Sequence, residues 1–431
     1  MSKRLLTRLI SYRNNTFSSL KIRNYRLYFV GQSISLPGTW MQTIGQAWLV
    51  LKLTNSGTAL GLVTALQTLP VLFFGPLGGV MGDRFQKRKL LFITQSGAGL
   101  QALILAVLIS TNTIQLWMIY ILAAVAGLFN AVDNPTRRTF VMEMVGKKEL
   151  GNAVTLFSTV FNLSRIIGPA IAGAIIAGAG LASCFYLNAF SFIAVLICLF
   201  LMNAKELHTT EPIKKSKGQL REGFKYVRNT PFLRNLLIMM AIIGTLTYEF
   251  QVNLPLLAKY TFFSNAAGFA LLNSAMGIGA VLGGLAAASS KNVLPKSMIK
   301  TIFAFGSAVV FVAVSPSLHI AIMAMVVVGF FSIRFTSMGE TLLQLESAPT
   351  MRSRVISLWS VAFLGSTPIG GPIVGWIGEH ANPRWGLTVS GLAAIAAAIY
   401  GLIFLRNAQV HYYKKEPSAN PIVVEKEGGK L

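Results

Sequence analysis

Charge is scarce in this chain of 431 residues, and acid is scarcer still. Asp and Glu number 14 against 38 Lys and Arg, and charged residues make up only 12% of the whole. A soluble globular chain carries about 25% charged residues, so a water-facing surface around a fold of this length is excluded. Cysteine is limited to Cys184 and Cys198. Both fall on one predicted helix, roughly 20 Å apart, beyond disulfide reach, which excludes a disulfide framework. Histidine is confined to His208, His319, His380 and His411, all in predicted connections or the tail. The sequence has no H-E-x-x-H, no paired Cys or His ligands, no G-x-S-x-G and no G-x-x-x-x-G-K-[ST]. Metallohydrolase, serine-hydrolase and directly nucleotide-driven chemistry therefore lack their residues, and neither an enzyme, a metal site nor a cofactor is expected.

What the chain does have is apolar length. Hydrophobic residues reach 53%, and a membrane span needs roughly 20 of them in a row. Such runs lie near 27–51, 58–81, 89–111, 115–133, 152–178 and 181–203, then near 232–258, 265–288, 298–315, 318–339, 355–378 and 386–406. Lys and Arg occupy alternate connections: 33 of the 38 fall on the side that carries both termini, while the opposite connections hold only Lys52, Lys259 and Arg384. By the positive-inside rule both termini are cytoplasmic. The formal net charge of +24 is thus topological, and no nucleic-acid partner is expected. The fold class expected is an all-α membrane protein, with twelve transmembrane helices in two pseudo-symmetric six-helix bundles.

The expected divisions are a basic amphipathic segment (1–26), an N-terminal bundle (27–203), a linker ending in a surface helix (204–231), a C-terminal bundle (232–406) and a cytoplasmic tail (407–431). The first segment suits an anionic inner membrane surface rather than a cleaved signal. Shifting the chain by 202 residues sets 139–173 on 341–375 without a gap. Leu156/Leu358, Ser158/Ser360, Gly168/Gly370 and Gly173/Gly375 are among nine coincident positions. Internal repeats of this kind mark secondary transporters, whose substrate sites lie between the halves.

Gly79-Val80-Met81-Gly82-Asp83-Arg84-Phe85-Gln86-Lys87-Arg88-Lys89 resembles the G-x-L-A-D-R-x-G-R-R loop of the major facilitator superfamily. The resemblance runs from about Asn24 to Arg406. It implies a cytoplasmic gate latch involving Gly79, Asp83, Arg84 and Arg88, with Asp133 and Arg137 near the same membrane face. Ser164-Arg165-Ile166-Ile167-Gly168-Pro169-Ala170-Ile171-Ala172-Gly173 is similar to the G-x-x-x-G-P-x-x-G-G pattern of antiporters, with Gly168, Pro169 and Gly173 in place. Arg23-Asn24-Tyr25-Arg26, Gly38-Thr39-Trp40-Met41-Gln42 and Asp133-Asn134-Pro135-Thr136-Arg137-Arg138 look like the subfamily of enterobactin exporters and multidrug or macrolide efflux proteins.

Polar stripes inside spans are the substrate-site candidates. Gln32, Ser35, Thr39, Gln42 and Gln46 fall on one face of the first span. Asn152, Thr155, Thr159 and Asn162 do so in the fifth, and Ser353, Ser357, Ser360 and Thr367 in the eleventh. In hydrocarbon such stripes must face water or other helices, so they line a cavity or bond one helix to the next. Tyr248 is an aromatic-wall or packing residue. Glu249 beside it is the leading candidate for a coupling proton, able to bind and release one within the span. Arg165 could instead pair with Glu249 or hold an anionic substrate. The expectation is a monomeric, proton-coupled exporter of small amphipathic drugs or siderophore-like compounds, lying among lipids in the bacterial inner membrane. A lysophospholipid or other lipid carrier of the same fold, or a membrane receptor, are the alternatives.

Overall fold

The computed structural model describes residues 16–208, 219–288, 293–348, 350–365 and 367–414. The side chains at 76, 79, 83, 219, 220, 353, 364 and 405–414 fall outside the description, and with them Gly79, Asp83 and Ser353 of the expected site. Most of the N-terminal segment, part of the linker and most of the tail also lie outside the described residues.

The described chain is helical throughout, with no strand. The helices are α1 (Arg23–Thr54), α2 (Gly57–Arg84), α3 (Lys87–Ser110), α4 (Leu116–Ala179), α5 (Leu181–Leu201), α6 (Gln219–Asn229) and α7 (Pro231–Ile242). They continue as α8 (Phe250–Leu256), α9 (Ala266–Ala288), α10 (Pro295–Val314), α11 (Leu318–Glu346), α12 (Arg352–Leu364), α13 (Thr367–His380) and α14 (Pro383–Lys414). Ten stretches are long and apolar enough to cross a membrane, and one of them is all 64 residues of α4. Gly146 interrupts α4 with φ 68°, a left-handed conformation that glycine adopts without the usual steric cost. Cys184 and Cys198 are both free.

Helix α1 packs on α4 and α5, α3 on α5, α9 on α11, and α10 on α14. Two further contacts join the first part of the chain to the second: α2 with α13, and α4 with α9. Small residues make the close contacts possible. A Cβ on Gly279 or Gly283 of α9 would strike the carbonyls of Val326 and Phe330, and one on Gly329 of α11 would strike Met276. Without a hydrophobic force between helices in lipid, backbone approach of this kind is a main source of attraction.

The linker helix α6 lies against the chain ends of α11 and α12. Glu222 pairs with Arg354 at 2.7 Å, and the Tyr226 hydroxyl accepts from the Ala348 amide at 3.1 Å. Phe224 on the other side is exposed, so the helix is amphipathic, with one face on the protein.

Gly279→Val is expected to cost about 1–3 kcal/mol by overpacking the α9–α11 contact. Gly75→Ala, where an added Cβ meets nothing within 4 Å, should not lower stability. Thermal melting of the purified protein in one detergent reads both.

Candidate functional site

Helix α1 runs into α2 through Asn55–Ser56, and this end of the molecule is called distal below; the end at Arg23 and Gly146 is proximal. The polar stripe of α1 does form one face, but that face does not line a cavity as a set. Gln32, Ser35 and Gln46 are buried. Ser191 of α5 donates to the Ser35 hydroxyl at 3.4 Å, Asn188 to Gln42 at 2.6 Å, and Gln42 to Gln101 of α3 at 3.0 Å. Gln32, Ser35 and Gln42 thus bond helices to each other, while Gln46 is buried with its amide nitrogen lacking a hydrogen-bond partner among the described residues. The physical reason is visible in Gly31, Gly38 and Gly45, seven residues apart beside the stripe. A Cβ there would sit 3.2 Å from Val195, 2.6 Å from Asn188 and 3.2 Å from Phe185 respectively, so these glycines press the stripe against α5. Thr39 alone of the stripe is exposed, and its hydroxyl bonds back to the Ser35 carbonyl at 3.2 Å.

The polar face of α4 behaves differently. Thr155, Ser158 and Thr159 are exposed and Asn162 half-buried. The side chains of Thr155, Thr159 and Asn162 bond only to carbonyls one turn back, at 2.8–2.9 Å. Beyond them the four-residue row of Thr155 and Thr159 continues as Leu163, Ile167 and Ile171, which are exposed and apolar. Exposed polar residues inside a span face water within the protein. Towards the distal end the polar face stops. Gly168 lies against Pro37, Trp40 and Met41 of α1, and Gly173 against Ala267 and Ala270 of α9, leaving no room for a side chain. Arg165 stands where the exposed face ends, half-buried, with its guanidinium 6.0 Å from the centre of the Trp40 ring. It has no hydrogen-bond or ion-pair partner among the described residues. Ser357 and Ser360 of α12 are exposed as well.

Glu249 occupies a break in the helix α7–α8. A π-helical turn (Ile243–Thr247) ends at Tyr248, and Glu249 has φ −87° and ψ 42° before α8 begins. Its side chain is 1% exposed, and Oε1 has no hydrogen-bond partner. It faces the glycine pair of α13: a Cβ on Gly370 would come within 3.0 Å of Oε1, and one on Gly371 within 3.4 Å of Oε2. Gly371 in turn abuts Gly61 of α2. The carboxyl therefore sits at the meeting of α2, α13 and the α7–α8 break. Among the described residues it forms no ion pair, so the Arg165 partnership considered from the sequence is not what holds it. Tyr248 is built into an aromatic cluster, 4.8 Å from Phe363 and 5.7 Å from Phe250, with its hydroxyl on Ser332. That places it in packing rather than on a cavity wall.

The distal end is closed by contacts the sequence did not announce. Gly57 abuts Gly375 one turn beyond the Gly61–Gly371 contact. Glu379 accepts from the Ser56 hydroxyl at 2.8 Å, and from the Thr58 amide and hydroxyl at 2.9 and 2.6 Å. Lys259 donates to the Leu51 carbonyl and to Asn55, both at 2.7 Å. An anion thus caps the N-terminus of α2 and a cation the C-terminus of α1, each matching the helix dipole. Alternating helix ends are the only sequence signal for such a pair. No group of three or more His, Cys, Asp or Glu suited to a metal ion occurs among the described residues.

A family profile described as transmembrane secretion effector matches residues 14–426. The chain belongs to that family, a branch of the major facilitator superfamily, and its members are membrane transporters rather than enzymes. The staphyloferrin A transporter of Staphylococcus aureus is 31% identical over 62% of this chain and 66% of its own length. The enterobactin exporter EntS of Salmonella typhimurium is 23% identical over 88% and 91%. An uncharacterised transporter of Bacillus subtilis, YfiS, is 27% identical, but the match spans only 51% of its length. Among solved structures, a bacterial homologue of the human lysosomal transporter Spinster in an inward-facing, unoccupied conformation superposes with a TM-score of 0.70 at 13% identity. The match covers 89% of this chain and 97% of that one. The nucleoside transporter NupG gives 0.66 at 17% identity over 91% and 99%.

The loop motif and its neighbours tie the proximal end together. Asp133 of α4, 3% exposed, accepts from Thr94 and Gln95 of α3 at 2.8 Å and from Arg137 at 2.9 and 2.5 Å. Arg137 also donates to Gln32 of α1. Lys87 pairs with Glu143 at 2.5 Å, and Arg88 donates to the carbonyls of Leu199 and Phe200 at 2.7 and 2.8 Å, capping the end of α5. Arg84 is exposed. The sequence reading named Asp133, Arg137 and Arg88 but missed Thr94, Gln95, Lys87 and Glu143. A lone acid one turn before an arginine in an apolar run was the available signal.

Asp133→Ala leaves the Arg137 charge buried without its partner and is expected to cost about 3–5 kcal/mol. Adding Arg137→Met should recover part of that loss, giving non-additive melting temperatures in a double-mutant cycle.

Proposed function

We propose that the protein is a secondary carrier of the bacterial inner membrane that exports small amphipathic molecules in exchange for protons, with Glu249 as the proton carrier. The observation that carries this reading is the position of Glu249. Its carboxyl touches the glycines of α13 at the seam where α2 and α13 meet, so gaining or losing a proton bears on the contact that must part for the distal side to open. A buried carboxyl with an unpartnered oxygen is costly unless protonated or paired, and either event changes what the seam can tolerate.

Twelve crossings follow from the ten apolar stretches. Helix α4, at 64 residues, corresponds to roughly 96 Å, about three times the hydrocarbon thickness, so it turns back at Gly146 and crosses twice. Helix α1 is long enough at 32 residues but too polar on its α5 face to score as apolar. Two bundles, up to α5 and from α7 onward, then meet through α2–α13 and α4–α9. The Lys and Arg distribution sets the proximal end and both termini in the cytoplasm. With the distal end closed and the polar face of α4 exposed, the carrier is in its inward-open state. Substrate enters along that face, the halves rock, and protonation of Glu249 from outside accompanies the return.

A lipid-moving carrier is the second reading. Its support is an apolar groove of about 360 Å³ between α1, α4 and α5, lined by Ile34, Pro37, Met41, Ile171, Leu187 and Phe190.

The deciding measurement uses proteoliposomes with an interior pH dye. Wild type should show substrate-dependent proton flux, and Glu249→Gln should lose at least nine-tenths of it (~10-fold, as for loss of an essential proton-transfer group) while melting normally. Flux persisting in the variant would move the coupling elsewhere. Movement of fluorescent lysophospholipid with no proton flux for any drug or siderophore would establish the second reading.

A further inference from the structure

The proposed export reading leaves open whether cations, neutral compounds or acids are carried, and Arg165 discriminates among them. Charged side chains inside a membrane span normally pair with one another or with carbonyls. The interior charges of the described structure do so at Asp133–Arg137 and Lys87–Glu143. Arg165 does not. Its guanidinium has no hydrogen-bond or ion-pair partner among the described residues and is steadied only by the face of Trp40, 6.0 Å away. Trp40 is itself held edge-on by Phe161 at 6.0 Å. The exposed polar face from Thr155 to Asn162 leads to this cation from the proximal end, and Gly168, packed on Pro37 and Trp40, closes the way beyond it.

We infer that Arg165 and Trp40 form the head of the substrate site and that the substrate is an amphipathic organic acid, bound through a carboxylate or phenolate on Arg165 with a flat apolar part on Trp40 and Phe161. The guanidinium offers five donors in a planar fork that matches two oxygens of a carboxylate. Exposure of the tryptophan and phenylalanine rings on one side supplies the apolar surface that small-molecule sites combine with a few placed polar groups. A lipophilic cation would meet an unneutralised positive charge at the end of its path, in a setting where repulsion is poorly screened. The acid-binding cation on α4 and the proton-carrying carboxyl at the α7–α8 break stand on opposite halves of the chain. Outward movement of an anion is in addition favoured by an inside-negative membrane potential.

The test measures equilibrium binding to the full-length protein in nanodiscs with three matched probes: 2-naphthoate, 2-naphthamide and 2-naphthylmethylammonium. Wild type is expected to bind the carboxylate at least tenfold more tightly than the ammonium. Arg165→Gln should lose about ten- to hundredfold in carboxylate affinity, the worth of a charge-assisted pair, with the amide unchanged. Arg165→Lys should retain part of it, and Trp40→Leu should weaken carboxylate and amide alike; these two serve if Arg165→Gln does not fold. Equal carboxylate affinity in wild type and Arg165→Gln, a preference for the ammonium, or no binding of the carboxylate by wild type would each overturn the inference. Proton flux in proteoliposomes is read separately. Carboxylate binding without flux would remove the coupling and leave the acid site standing, and flux driven only by cations would do the reverse.

Discussion

Between α2 and α13 there is no room for a side chain. Gly57 and Gly61 lie on Gly375 and Gly371 with backbone against backbone, and the other distal features depend on that approach. It brings Glu379 within reach of the first turn of α2, and it sets Glu249 behind the same glycines. A contact made of backbone dispersion and a few end-capping hydrogen bonds is strong enough to hold in lipid. It is also weak enough to part, since no large apolar surface has to enter water when it does. A carrier needs such a contact on the side it keeps closed.

Charge is distributed according to the same economy. At the proximal end of the first half, carboxylates and cations are satisfied within one bundle, as Asp133 is by Thr94, Gln95 and Arg137. Those groups tie α1, α3 and α4 to one another. At the distal end, Glu379 and Lys259 reach across to helix termini of the other part of the chain. Glu249 and Arg165, which like Arg334 have no charged partner among the described residues, lie between these regions. Leaving a charge or a carboxyl oxygen unsatisfied in a span is unfavourable, and in transporters such groups mark the path of a substrate or proton.

Much of the architecture was legible from composition and order along the chain. The expected apolar runs fall close to the ten apolar stretches, with 115–133 and 152–178 inside the single stretch of α4 and 27–51 outside the ten, because hydrocarbon imposes a minimum apolar length that no tertiary contact can relax. The linker helix, the isolated cysteines and the family resemblance were legible for similarly local reasons. The site was legible only in part. Spacing showed that Gln32, Ser35, Gln42 and Gln46 share a face, yet a face can meet either water or another helix, and spacing alone does not distinguish them. The same spacing on α4 opens to an exposed surface. Gly31, Gly38 and Gly45 carried the missing information, since small residues mark where a neighbouring backbone arrives.

Sequence by itself determined that this protein lives in a membrane, how often apolar runs recur, and which ends gather positive charge, because each follows from a single helix meeting lipid or a charged interface. Tertiary structure alone decided which polar face is buried, that Asp133 and Arg137 reach α1 and α3, that Glu249 lies against glycines of α13, and that Arg165 is left without a partner. Those facts depend on which helices become neighbours and how they are rotated. Both are fixed by close packing of small residues from distant parts of the chain, a summed effect that no local pattern records.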